Sequence, residues 1–185
     1  MPLPESKIAS HRPATLYFYG DAGALARAWE LGEFRLQPLG HGPNAGVLPS
    51  ARQILPFGRP LATSGGGFLT LSLSSALRGA GEQSRPVPCL VIRQTEEFGE
   101  RLHRAVQQAL PQWAGIDAAV AYGAPSPLGV VFSKARHLAR EQEWLFAWRP
   151  IQPLAQLAPL VVRIGKIDQI AQLQGAPDAE AGPQP

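Results

Sequence analysis

Residues 141–148 read EQEWLFAW: two carboxylates two positions apart, then an alternating aromatic run. In an extended chain, residues i and i+2 share a face. As a strand, this segment puts Glu141 and Glu143 with Leu145 and Ala147, and puts Gln142, Trp144, Phe146 and Trp148 on the other side. Two acids that close repel, which favours a proton shifted onto one of them. A carboxylate beside an anomeric carbon stabilises the oxocarbenium-like charge of a breaking glycosidic bond. A second acid two residues earlier can act on the incoming nucleophile. The plainer reading makes Glu141 the end of a helix, paired at the surface with Lys134, Arg136 or Arg140, where such pairs contribute little.

Other polar residues stand on strand-like segments earlier in the chain. Tyr17 and Tyr19 share a face of TLYFYG, Arg35 lies in EFRLQP, and Thr70, Ser72 and Ser74 share a face of GFLTLSLS. An arginine offers a planar fork to a pyrophosphate, and a row of hydroxyls can hydrogen-bond a ribose. Taken singly, each is an ordinary residue of a half-exposed strand. The four histidines (His11, His41, His103, His137) are far apart and Cys89 is alone, so no metal-ligand spacing is present and no metal is expected. His103 falls on the polar flank of its helix and His137 in a basic stretch, so both read as surface residues. Gly65–Gly67 precede a strand, not a helix, and lack the geometry of a phosphate-binding helix terminus.

The elements that must position these residues follow from local pattern. A strand over 15–20 leads to a helix capped by Asp21 and closed by Gly32. A second strand covers 33–38. Residues 39–67 are rich in Gly and Pro and read as one long loop, a length that is usually functional or disordered. Strands follow at 67–74 and 88–93. A strong amphipathic helix over 95–113 has Thr95 as its cap and Phe98, Leu102, Val106 and Leu110 on one side. Strands are expected at 117–123 and 128–133, a short helix at 134–141, the EQEW strand, and a last strand plus helix over 159–173. Several strands are joined only by loops, so the expected class is α+β, with a split, mostly antiparallel sheet and a few peripheral helices. The domain is expected over 15–173, between a flexible leader (1–14) and a disordered tail (174–185).

Composition sets further limits. The chain has 185 residues, 45% hydrophobic and 17% charged, which suits one domain. The net charge is +3; the last ten residues hold two acids and no base, leaving +5 for the rest. That mild basic bias tolerates a phosphate-bearing ligand without implying nucleic-acid binding. A single cysteine points to a reducing compartment. No apolar run reaches the length of a membrane span and the N-terminus has no secretory h-region, so a cytoplasmic location is expected. Delivery into another cell by a dedicated secretion system stays open.

An arginine on an early strand, Thr70-Leu71-Ser72-Leu73-Ser74 in the middle and Glu141-Gln142-Glu143 late resembles the arginine–serine–glutamate class of ADP-ribosyltransferases. The opening LYFYG, a helix ending in glycine and LGEFRL look like the start of its toxin and DNA-modifying branches. TLYFYG, FLTLSLS, CLVI…EEFGERLHRA and FSK…E-x-EW also resemble a group of small bacterial proteins, some linked to abortive phage resistance, over roughly 15–172. The middle motif departs from Ser-Thr-Ser, and the first motif is either Arg35 or the Tyr17/Tyr19 strand. The resemblance implies NAD as substrate, bound by Arg35, Tyr17, Tyr19, Thr70 and Ser72, with Glu143 and Glu141 catalytic. The expected activity is transfer of ADP-ribose, or NAD glycohydrolysis, by a toxin- or phage-defence-type protein. The acceptor (protein, nucleic acid, small molecule or water) and the oligomeric state are open. The alternatives are a noncatalytic binding or immunity module of the same fold, with Glu143 neutralised by a basic side chain, or a small nucleic-acid-binding domain. The last would gather Arg78, Arg85, Arg93, Arg101, Arg104, Arg136 and Arg140 on one face.

Overall fold

A computed structural model describes residues 11–39, 67–78, 87–152, 154 and 156–175. The chain runs β1 (Leu16–Phe18), α1 (Ala22–Leu31), β2 (Glu33–Pro38), β3 (Leu69–Ser74), β4 (Cys89–Ile92), α2 (Thr95–Ala109), β5 (Trp113–Ala119) and β6 (Ala121–Tyr122). A 3-10 turn (Val130–Phe132), β7 (Ser133–Lys134), a second 3-10 turn (Arg136–Glu141), β8 (Glu143–Pro150), β9 (Leu160–Arg163) and β10 (Ala171–Gln174) complete it. The class is α+β with a mostly antiparallel sheet. Among the described residues, every pairing of the eight-stranded sheet is antiparallel, and only the small β6–β7 pair is parallel. Most of the loop expected over 39–67 and most of the tail expected over 174–185 fall outside the described residues. Among the described residues, no helix is long and apolar enough to cross a membrane.

The first half of the chain folds as its local signals dictate. Asp21 caps α1, its Oδ1 accepting from the Ala24 amide at 2.7 Å, and Gly32 ends it in the left-handed conformation at φ 61°. A β-carbon at Gly32 would strike the Gly165 carbonyl, so glycine is required there for packing as well as for conformation. In α2, Phe98, Leu102 and Val106 are buried as their spacing predicts. Thr95 is not its cap, however. Gln94 holds that position without a side-chain bond, and the Thr95 hydroxyl instead donates to the Pro13 carbonyl at 2.7 Å.

The central strand β3 has unequal edges. One is paired with β8 along its whole length, Leu69↔Trp148 through Ser74↔Glu143. The other is shared. β1 meets it only at Tyr17↔Ser74, and β2 only at Gln37↔Thr70 and Pro38↔Leu69. The sheet therefore branches at Leu71–Leu73. β4 and β10 extend the β1 branch, β9 extends the β2 branch, and β5 lies outside β8.

The two faces differ in character. On one, Leu16, Phe18, Phe34, Leu36, Leu71, Leu73, Trp144, Phe146 and Trp148 form the main core with the buried residues of α1 and α2. Phe18, Phe34, Phe98 and Phe146 run across it edge to face, with centroids 5.3, 5.3 and 6.1 Å apart, joining the two branches. Each such pair adds about 0.5–1.5 kcal/mol beyond its burial. Among the described residues, the other face is covered over β5 and β8, where Val131 and Phe132 pack on Ala118, Leu145 and Ala147, with Leu39 and Phe68 beside them.

Three expectations fail in the second half. Residues 128–133 form a 3-10 turn and a two-residue strand, and 134–141 form 3-10 turns instead of an α-helix. The expected last helix is replaced by β10, which pairs with β4 from Ala171↔Ile92 to Gln174↔Cys89. An open edge on β4 offers a ladder of backbone bonds, and that tertiary partner outweighs a weak local helical pattern.

Candidate functional site

Strand register brings the proposed residues onto one face. Directly opposed residues of an antiparallel pair share a face. Tyr17 is opposed to Ser74, and Ser74 to Glu143, so the three form one row across β1, β3 and β8. Thr70 lies on the same face, opposed to Gln37 of β2 and Ala147 of β8. Arg35 follows by alternation from Gln37 and is exposed, with Val161 opposite it on β9. Ser72 is exposed although it is the midpoint of the central strand. It lies where β1 and β2 part, and this branch point is the candidate cleft. Thr70 Oγ1 is occupied locally, donating to the Gln37 carbonyl at 3.2 Å.

At the β8 end of this face, Glu141 and Glu143 converge, though not by strand alternation. Glu141 ends a 3-10 turn, and Gln142 takes the left-handed conformation at φ 41°, the one non-glycine residue among those described with positive φ. Glu143 then opens β8. The kink aims both carboxylates at one ammonium: Lys134 Nζ donates to Glu141 Oε2 at 2.9 Å and lies 2.6 Å from Glu143 Oε2. The second contact is close but misaligned, so buried Oε2 of Glu143 is ion-paired without a well-directed hydrogen bond. The Glu143 side chain is only 4% exposed.

The sequence offers Lys134 as one of three partners for Glu141, and the structure selects it and adds a contact with Glu143. It reaches the pair because β7 runs parallel to β6, with Tyr122 opposite Lys134. The Tyr122 hydroxyl in turn accepts the Glu143 amide at 2.9 Å. Burial works against the Lys134 charge, but Glu143 and then Glu141 outweigh it and raise the ammonium pKa above its usual value. The Tyr122 phenol is also raised, first by burial and further by the Glu143 charge. The Ser74 hydroxyl, fully enclosed, reaches the carbonyls of Ala76 (2.7 Å) and Glu141 (2.9 Å) and can donate to one at a time.

Tyr19, just past β1, does not point freely into the cleft. Its hydroxyl accepts the Arg78 amide at 2.7 Å, and the Arg78 guanidinium lies over its ring, 4.6 Å from the centroid. The arginines named for a nucleic-acid face are dispersed. Arg78 sits on Tyr19, Arg101 belongs to α2 on the opposite side of the sheet and bonds Glu97 and the Lys166 carbonyl, and Arg136 and Arg140 lie in the 3-10 turn before β8. Arg85 lies outside the described residues.

A second polar cluster lies beneath α2, on the core face. Asp117 of β5 accepts from Arg12 Nε (Oδ1, 2.8 Å) and Nη2 (Oδ2, 2.8 Å), and from the Trp144 indole at 2.8 Å. His103 Nε2 is 2.7 Å from Asp117 Oδ2, and the Trp148 indole donates to His103 Nδ1 at 3.1 Å. An indole can only donate, so Nδ1 is the acceptor and the ring proton sits on Nε2, toward Asp117. Burial pushes the Asp117 pKa up, but the bonds from His103, Arg12 and Trp144 prevail and bring it to about 2. His103 is therefore not the free surface residue expected but is half-buried, packed on Phe146 and Trp148. The leader expected over 1–14 is anchored at its end by Arg12, which also binds Glu96, and by Pro13. With both His103 nitrogens engaged and no nucleophile bonded to them among the described residues, the cluster is a tie between elements. No protein-family model, curated protein or solved structure matches the chain.

Proposed function

We propose that the open sheet face binds NAD and that the protein transfers ADP-ribose, or hydrolyses NAD, with an ADP-ribosyltransferase-like fold of the toxin or phage-defence type. The observation that carries this reading is the row Tyr17–Ser74–Glu143 beside exposed Ser72 at the point where the sheet branches. An early arginine strand, a hydroxyl strand and a late Glu-x-Glu meet on one surface, which is what such chemistry requires of them. In this reading, Ser72, Tyr17 and Arg35 seat the dinucleotide. Glu143 holds a ribose hydroxyl and stabilises the ribosyl cation as the nicotinamide bond breaks. Glu141 orients the acceptor. Lys134 must then yield Glu143 to the ligand.

The Lys134–Glu143 contact favours a second reading, a noncatalytic module that binds a nucleotide on the same face, because it already neutralises the acid. One experiment separates the two. Labelled NAD is incubated with cell lysate and either the wild-type protein or Glu143→Gln, and NAD-dependent thermal stabilisation is measured in parallel. Catalysis predicts label transfer or NAD consumption that falls by about two to three decades in Glu143→Gln. Stabilisation by NAD without turnover selects the binding module. Neither stabilisation nor turnover at millimolar NAD removes both readings.

A further inference from the structure

Arg78 is attached to Tyr19 twice: its amide donates to the phenol oxygen, and its guanidinium lies over the ring. Tyr19 in turn is held at its base. Continuing the β1–β4 register from Phe18↔Leu90 places it opposite Cys89, on the face that carries Tyr17. The guanidinium is therefore carried over the cleft face by a ring fixed to the sheet. Arg78 is exposed, and among the described residues no carboxylate pairs with it. An arginine oriented in advance has less freedom to lose when it meets an anion.

Arg35 lies on β2 and Arg78, in the segment after β3, is seated on Tyr19 just past β1, so two arginines stand on the same side of the β3 branch. A ligand with a pyrophosphate matches two such groups. We propose that Arg78, seated on Tyr19, is the pyrophosphate clamp of the cleft. This rests on the NAD reading and adds to it a binding residue outside the strands. The planar fork takes two phosphate oxygens side by side, and Tyr19 serves as the platform, not as a direct ligand contact.

The test is calorimetric titration of the full chain with NAD, ADP-ribose and the phosphate-free nicotinamide riboside. Wild type is compared with Arg78→Gln, Arg78→Lys, Tyr19→Phe and Tyr19→Leu, each checked for unchanged unfolding without ligand. Arg78→Gln is expected to weaken NAD and ADP-ribose by about ten- to a hundredfold and to leave the riboside unchanged. Arg78→Lys should recover only part of the loss. Tyr19→Leu should resemble Arg78→Gln, with Tyr19→Phe in between. Wild-type affinity of Arg78→Gln for ADP-ribose overturns the clamp, as does an equal loss for the riboside. If wild type binds the riboside but not ADP-ribose, a cleft exists and the clamp does not. If wild type binds none of the three, the NAD reading itself falls and the clamp with it.

Discussion

Gly99 of α2 faces the Arg12 guanidinium so closely that a β-carbon there would overlap it. Inside a helix, Gly→Ala ordinarily stabilises by about 1 kcal/mol. Here the methyl group would displace Arg12 from Asp117, and loss of a buried ion-pair partner costs more than the helix gains. Gly99→Ala is expected to destabilise by about 2 kcal/mol in urea unfolding. In an Arg12→Ala background the same change should be neutral or stabilising, so the cycle should show strong coupling. Additive effects would mean that the glycine serves something else.

Asp117 gives stability a defined acid dependence. Its folded pKa of about 2 lies below the ordinary aspartate value of 3.8. Its contribution is therefore complete above about 4 and is lost as pH falls through about 2. On the order of 1–2 kcal/mol should disappear over that window, allowing for solvent near His103. Urea midpoints measured from pH 5 to pH 2 should fall less steeply in Asp117→Asn, which starts from lower stability. A parallel decline in both proteins would assign the acid sensitivity to other carboxylates.

Lys134 and Glu143 should respond unequally to loss of charge. Glu143→Gln leaves Lys134 with Glu141 and should cost about 1 kcal/mol. Lys134→Met strands a nearly enclosed carboxylate and should cost about 3 kcal/mol. Equal costs in chemical denaturation, or a neutral Lys134→Met, would contradict the ion-pair geometry.

Ser72 separates cleft from core. Because it is exposed, Ser72→Trp should change stability by no more than about 0.5 kcal/mol. On the proposed NAD reading, the indole would nevertheless fill the branch point and abolish thermal stabilisation by NAD. Undiminished stabilisation would move the ligand off this face.

The sequence shows clearly what is decided locally. Asp21 and Gly32 bracket α1, the alternation of EFRLQP matches β2 residue for residue, and Leu145 and Ala147 share a face with Glu143 as expected. What it hides is decided by partners distant in the chain. His103 reads as polar-flank because nothing nearby announces Trp148 or Asp117. Gly115, where a β-carbon would strike the Trp148 indole, leaves a trace, but a glycine in an edge strand has many explanations. Lys134 is a plain candidate partner for Glu141, but nothing local announces that the β6–β7 pairing also carries it to Glu143. Carboxylate alternation brought Glu141 and Glu143 together on paper, whereas the chain does so through a left-handed Gln142.

The branch in β3 also bears on motion. A central strand with one full partner and two partial ones is a seam, about which the β1 and β2 wings are expected to flex like the boards of a book. The Phe18–Phe34 contact is the binding that keeps them together from behind. Entry of a ligand on the open side would be felt as a change of angle between the wings. Amide exchange along Leu71–Leu73 would report it, being quicker than in the doubly flanked run of β8 beside it and slowing when the cleft is filled.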